Sequence, residues 1–138
     1  MALILDTGPL LAALDRSDPD HDRCAAMLIG AEEDLVVPVL VLAELDYWCH
    51  ERLDPQAWLI FLDDVLDGVY TVVAPTHEDL ARSAALQREY ADLRLGVVDA
   101  SVLALCERLG ETKLATLDHR HFSVVRPNHV AALTLLPS

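Results

Sequence analysis

Four carboxylates, Asp6, Glu44, Asp99 and Asp118, sit among apolar neighbours, where an ionised group is out of place. At about 100° per residue, Val41, Glu44, Leu45 and Trp48 share one helical stripe, while Asp46 points almost the opposite way. Asp99 opens an apolar segment whose same-face neighbours are Val102, Leu103 and Cys106. Asp6 follows Leu3-Ile4-Leu5 and precedes Thr7-Gly8-Pro9; Asp118 follows Leu114-Ala115-Thr116-Leu117 and precedes His119-Arg120-His121-Phe122. Each has a plainer role when taken alone. Glu44 could pair with an arginine, Asp6 and Asp99 could cap helices, and Asp118 could form a turn. Taken together they suggest something else, because four ionised carboxylates cannot share one pocket without protons or cations. Hard oxygen donors of this kind suit Mg²⁺ or Mn²⁺ rather than zinc, and one or two such ions would offer a site for a phosphate oxygen. Other acids, among them Asp15, Asp18, Asp20, Asp22, Glu32, Glu33, Asp34, Asp63, Asp64 and Asp67, fall in polar clusters and read as solvated surface.

The four can meet only if the fold brings them together. Ala2 to Leu5 reads as a buried strand, and a helix follows with Pro9 in its first turn. A second helix runs from Asp18-Pro19-Asp20 towards Gly30, then a strand over Leu35 to Val37. Helices are expected over Val39 to Leu53 and from Asp54-Pro55 to about Leu66, then a strand at Val69 to Val73. Thr76 to about Asp92 reads as a long helix with Thr76 and Asp79 as a capping-box variant. Val98 to Leu109 is the next, stopped by Gly110, with strands at Lys113 to Leu117 and Ala132 to Leu136. Strands alternating with helices imply an α/β domain with a mostly parallel sheet. Ligands of such sheets bind beyond the strand carboxyl ends, where the winding reverses. Asp6 and Asp118 stand at such ends.

Composition narrows the classes further. With 138 residues and 53% hydrophobic side chains, the chain is long enough for one core and too apolar for disorder. Its formal net charge of −13 argues against gripping nucleic acid through a broad basic surface. The longest apolar run, Leu35 to Ala43, is less than half of a membrane span, and no signal peptide is evident. Cys24, Cys49 and Cys106 are odd in number and widely spaced, which suggests reduced thiols in the cytoplasm.

Ile4-Leu5-Asp6-Thr7-Gly8, Ala43-Glu44-Leu45, Val98-Asp99-Ala100 and Ala115-Thr116-Leu117-Asp118 through Phe122 resemble the four acidic motifs of PIN-domain ribonucleases. The likeness is closest to the VapC toxins of bacterial VapBC toxin–antitoxin pairs, and it covers the whole chain in order. The resemblance implies one PIN domain over residues 1–138, a three-layer sandwich with a parallel five-stranded sheet of order 3-2-1-4-5. It implies that Asp6, Glu44, Asp99 and Asp118 are the metal-binding and catalytic acids, with Thr7 and Thr116 as supporting polar groups. The implied activity is hydrolysis of RNA phosphodiesters with Mg²⁺ or Mn²⁺, leaving a 5′-phosphate and a 3′-hydroxyl. Implied partners are an RNA substrate, a VapB-type antitoxin and a second copy in a homodimer, with no direct DNA binding and no membrane. Ala43 to Tyr47 and Asp118 to Pro127 are similar to members acting on the sarcin–ricin loop of 23S rRNA; tRNA is the other substrate of the family.

RNA must still approach an acidic protein, and a few cations at a cleft suffice for that. Arg94, Arg120 and Arg126 are the candidates, with Arg82 and Arg88 less suited because one helix face cannot present both. His119 and His121 could touch RNA or simply form a surface turn. Tyr47, Trp48, Trp58 and Tyr90 could stack bases, although core packing explains most of them. Three other functions compete. A phosphorylatable receiver-like module needs a lysine at the end of a late strand, yet the only lysine, Lys113, stands at the start of its strand. Asp6-Thr7-Gly8 also suggests an aspartic protease, an all-β enzyme that the helical periodicity after Gly8 disfavours. A PIN-fold binding protein without catalysis is the third.

Overall fold

The computed structural model describes residues 1–138. Strands β1 (Ala2–Leu5), β2 (Asp34–Pro38), β3 (Thr71–Val73), β4 (Lys113–Ala115) and β5 (Thr134–Leu136) form one sheet of order β3-β2-β1-β4-β5. Every pairing is parallel, with Ile4 opposite Val36 on one side and Leu114 on the other. Four consecutive apolar residues make β1 the central strand, because a parallel strand covered on both faces cannot alternate with polar groups. The expected strand order is the observed one.

Seven helices connect these strands: α1 (Thr7–Leu14), α2 (His21–Gly30), α3 (Val39–Arg52), α4 (Pro55–Leu66), α5 (His77–Glu89), α6 (Val97–Leu109) and α7 (His119–Val124). Helix α1 packs on α2 and α3, and α3 packs on α4, whereas α5 packs on α6. The chain winds outward through β1, β2 and β3, then crosses back to β4. Right-handed crossovers put the helices before and after that reversal on opposite faces. The reversal lies between β1 and β4. The core joins Leu3, Ile4 and Leu5 to Val37, Val41, Leu45, Leu103 and Leu114, with Phe61 under α4. No helix is long and apolar enough to cross a membrane.

Several elements differ from expectation in length. The strand expected at Val69 begins at Thr71, because the Val69 and Gly68 N–H groups close the end of α4 on Asp64 and Val65 carbonyls. Gly68 sits at φ +86°, a left-handed conformation that closes a helix without Cβ strain. β4 stops at Ala115 because the Thr116 hydroxyl accepts the Asp118 N–H and turns the chain. β5 starts two residues late, at Thr134. The helix expected to Asp92 ends at Glu89 and continues as a 3₁₀ turn over Ala91–Leu93. Its capping box, with Thr76 and Asp79 bonded reciprocally, is as expected. Helix α7 occupies a stretch that the sequence reads only as a turn.

Candidate metal-binding site

β1 and β4 deliver their following residues to the sheet edge side by side. The Asp6 N–H extends the pairing by donating to the Ala115 carbonyl at 2.9 Å, and Thr116 N–H donates to Leu136. Asp6 is in the N-cap position of α1, yet its side chain caps nothing. Instead Oδ2 accepts from the Thr116 hydroxyl at 2.9 Å, while Oδ1 is buried with no partner. Thr116, fully buried, therefore holds Asp6 through its proton and the Asp118 N–H through its lone pair. Thr7 plays the corresponding part on the other side: its hydroxyl donates to Glu44 Oε1 on α3.

Asp99 lies in the first turn of α6, whose N-cap is Gly96 and lacks a side-chain cap. Asp118 caps α7, with Oδ1 accepting the His121 N–H at 3.1 Å. The His121 ring comes back over the same acid, placing Nδ1 2.9 Å from Asp118 Oδ2 and 3.6 Å from Asp99 Oδ2. One donor atom each from Asp99, Asp118 and His121 lie within 4.8 Å of one another. All four acids line a single open cleft of about 510 Å³, together with Thr7, Gly8, Leu11, Trp48, Arg52 and Leu117.

The electrostatics of this cluster are uncompensated. None of the four acids is ion-paired to an arginine or lysine. Burial, reinforced by the Asp99 charge, pushes the Asp6 carboxyl up to about 7. Burial and then Asp118 and Glu44 raise Asp99, against a smaller opposing pull from His121. A folded protein holds carboxylates this way only with a proton or a cation among them. An orphaned buried oxygen, raised acids and an oxygen-rich donor set together fit a hard divalent ion.

The substrate-side expectations fare differently. Arg94, at φ +52°, Arg120 on α7 and Arg126 are all exposed, and none lines the cleft. The Arg126 N–H donates to the Tyr90 hydroxyl. Arg82 is engaged by a two-pronged pair with Glu107 at 2.8 and 3.0 Å. Trp58 and Tyr70 pack on Phe61 and serve the core, as does the ring of Tyr90. The cation that does reach the cleft is Arg52, not one of the arginines expected there. Its spacing of eight from Glu44 and four from Trp48 on one helix was the available signal. The approach of His121 to Asp99 and Asp118 depends on α7, which a turn over His119 to Phe122 would not provide.

Comparison with known proteins agrees with this fold. Ribonuclease VapC26 of Mycobacterium tuberculosis is 33% identical over 135 residues, covering 98% of this chain and all of the relative. Among solved structures, VapC20 of M. tuberculosis, described as a sarcin–ricin loop cleaving toxin, superposes with a TM-score of 0.82. It shares 17% identity and covers 93% of this chain and 98% of its own. FitAcB of Neisseria gonorrhoeae gives a TM-score of 0.69 at 18% identity, covering 98% of this chain and 96% of its own. The PIN domain family matches residues 3–127, so that with a parallel 3-2-1-4-5 sheet and its acids at the switch point the chain belongs to the PIN-domain family.

Proposed function

We propose that this chain is a metal-dependent endoribonuclease toxin whose single domain spans residues 1–138. The observation that carries the reading is the meeting of Asp6, Glu44, Asp99 and Asp118 in one cleft, with Asp6 Oδ1 buried and unpartnered. Those four acids would hold Mg²⁺ or Mn²⁺. When bound, the ion supplies Lewis-acid polarisation of the phosphodiester and lowers the pKa of an attacking water. The chain's own residues prepare that site. Thr116 fixes one Asp6 oxygen and leaves the other free, and Thr7 fixes Glu44 from the next helix. Their hydroxyls spare the acids the entropy of ordering when an ion arrives, as supporting groups of metal sites do.

The substrate we infer is RNA, first the sarcin–ricin loop of 23S rRNA and otherwise tRNA, cut in the cytoplasm to stop translation. The relative VapC26, a ribonuclease, supports RNA as the substrate, and the fold neighbour VapC20, described as a sarcin–ricin loop cleaving toxin, supports this order. A VapB-type antitoxin would cover the cleft, since solved neighbours include toxin–antitoxin complexes. The chain itself would form a homodimer and leave operator DNA to that antitoxin. A receiver-like role is disfavoured, because Lys113 is bound to Glu33 at 2.6 Å at the start of β4, away from the acids.

The test is incubation of the purified chain with ribosomes and total RNA in Mn²⁺, followed by mapping of new 5′-phosphate ends. Discrete cuts are expected, and Asp6→Asn or Asp99→Asn should reduce them by about 100-fold or more. Wild-type protein that leaves every RNA intact would return the chain to a binding role.

A further inference from the structure

We propose that Arg52 binds an RNA phosphate beside the one that is cut, and that Trp48 is the positioning residue that holds its guanidinium there. The proposal rests on the reading of the cleft as an RNA-cutting site. Helix α3 carries Glu44, Trp48 and Arg52 at successive steps of four, so each is displaced only about 40° from the last. All three line the acidic cleft. Along the helix axis Glu44 and Arg52 are about 12 Å apart, which puts the cation at a distance from the acids rather than among them.

Arg52 is the one cation that is both free of an ion pair and at the cleft. Arg23, Arg82, Arg108 and Lys113 are all engaged in ion pairs, whereas Arg52 has no carboxylate or carbonyl partner. Its five N–H donors are therefore free for an incoming acceptor. It is also the one cation at the cleft, for Arg94, Arg120 and Arg126 lie outside the lining. An exposed arginine normally samples many rotamers and binds phosphate weakly as a result. Here the guanidinium carbon lies 4.6 Å from the Trp48 ring centroid, a cation–π stack. Trp48 in turn is half-buried against the core and braced edge-on by Tyr47, with ring centroids 5.0 Å apart and planes at 82°. Contact with the ring face uses none of the N–H donors, and the planar fork of a guanidinium matches phosphate bidentately. In a molecule of charge −13 a single ordered cation beside four acids supplies the local attraction that composition withholds.

The experiment measures binding apart from cleavage. A labelled single-stranded RNA of mixed sequence is titrated with the Asp99→Asn chain in Mn²⁺, with and without Arg52→Ala, at several salt concentrations. Arg52→Ala should weaken binding by about 10-fold and lower the salt slope by about 0.7, the loss of one phosphate contact to a single strand. Arg52→Lys keeps the charge without the fork and should fall between; Trp48→Phe keeps the stack and should stay near the parent. In the cutting-competent chain, Arg52→Ala should raise KM with kcat within about two-fold of wild type. Unchanged affinity and salt slope in Arg52→Ala would overturn the proposal even if the wild type cuts RNA. Failure of the wild type to cut anything would instead remove the nuclease reading, leaving Arg52 to be judged by the binding titration.

Discussion

Asp6 has an energetic signature apart from any catalytic role. Its carboxyl is held up to about 7 in the fold, whereas in the unfolded chain it titrates near its ordinary 3.8. Between those values the folded state binds more protons than the unfolded one, so this group makes stability fall as pH rises from about 4 to about 7. Above that range its full charge opposes folding. Without divalent ion, Asp6→Asn should therefore melt higher than wild type at pH 7.5, with the gap closing towards pH 4. Scanning fluorimetry in EDTA at both pH values checks this. A variant less stable at pH 7.5 would mean that the acid is better accommodated than its unpartnered oxygen implies. Thr116 presents the opposite case, being neutral and doubly bonded. The isosteric Thr116→Val removes both bonds, costs about 1–2 kcal/mol, and should lower cleavage by about 10–100-fold as a lost supporting group. The hydrogen bonds of Thr7 to Glu44 and of Thr116 to Asp6 have no local sign in the sequence, because hydroxyls spaced 109 residues apart do not show whom they bind.

At the scale of elements, what could be read in advance was whatever periodicity or capping encodes locally. β1 announced itself by four apolar residues, and α5 by Thr76 and Asp79. The strand order 3-2-1-4-5 came from family likeness, since nothing local distinguishes which strands become neighbours. Helix α7 leaves little mark in the sequence, because its six residues, His119 to Val124, include two histidines and only a short apolar stripe. Its start is set by the Asp118 cap, which looks the same as a turn in sequence. That hides His121 beside Asp118 and Asp99. The connection after β4 also approaches α1 so closely that a Cβ on Gly8 would lie 3.2 Å from Leu117 Cβ. Gly8→Ala should thus push Leu117, and with it the neighbouring Asp118, away from Asp6. A stability loss of about 1 kcal/mol is expected from such crowding. Cleavage at limiting Mn²⁺ should fall further than that loss explains, and raised Mn²⁺ should recover part of it. Equal activity at every Mn²⁺ concentration would show that the loop yields without moving the acid.

For the whole molecule, the charge of −13 has two parts that composition cannot separate. Most acids are on the surface, some of them paired, as Asp20 is with Arg23 and Glu33 with Lys113. Repulsion among such exposed charges is screened by any salt. The four cleft acids are different, because they converge on one small space and are partly buried, where monovalent screening is weak. A divalent ion bound there would stabilise the fold by mass action, about 2.7 kcal/mol at a hundredfold excess over its dissociation constant. In a domain of this size each kcal/mol moves Tm by about 3–4 °C. Millimolar Mn²⁺ should therefore raise the wild-type Tm by several degrees beyond what NaCl of equal ionic strength achieves. Asp99→Asn should keep the NaCl response and lose most of the excess due to Mn²⁺. If both chains respond to Mn²⁺ as they do to NaCl, the cluster binds no ion, and its raised carboxyls are satisfied by protons alone.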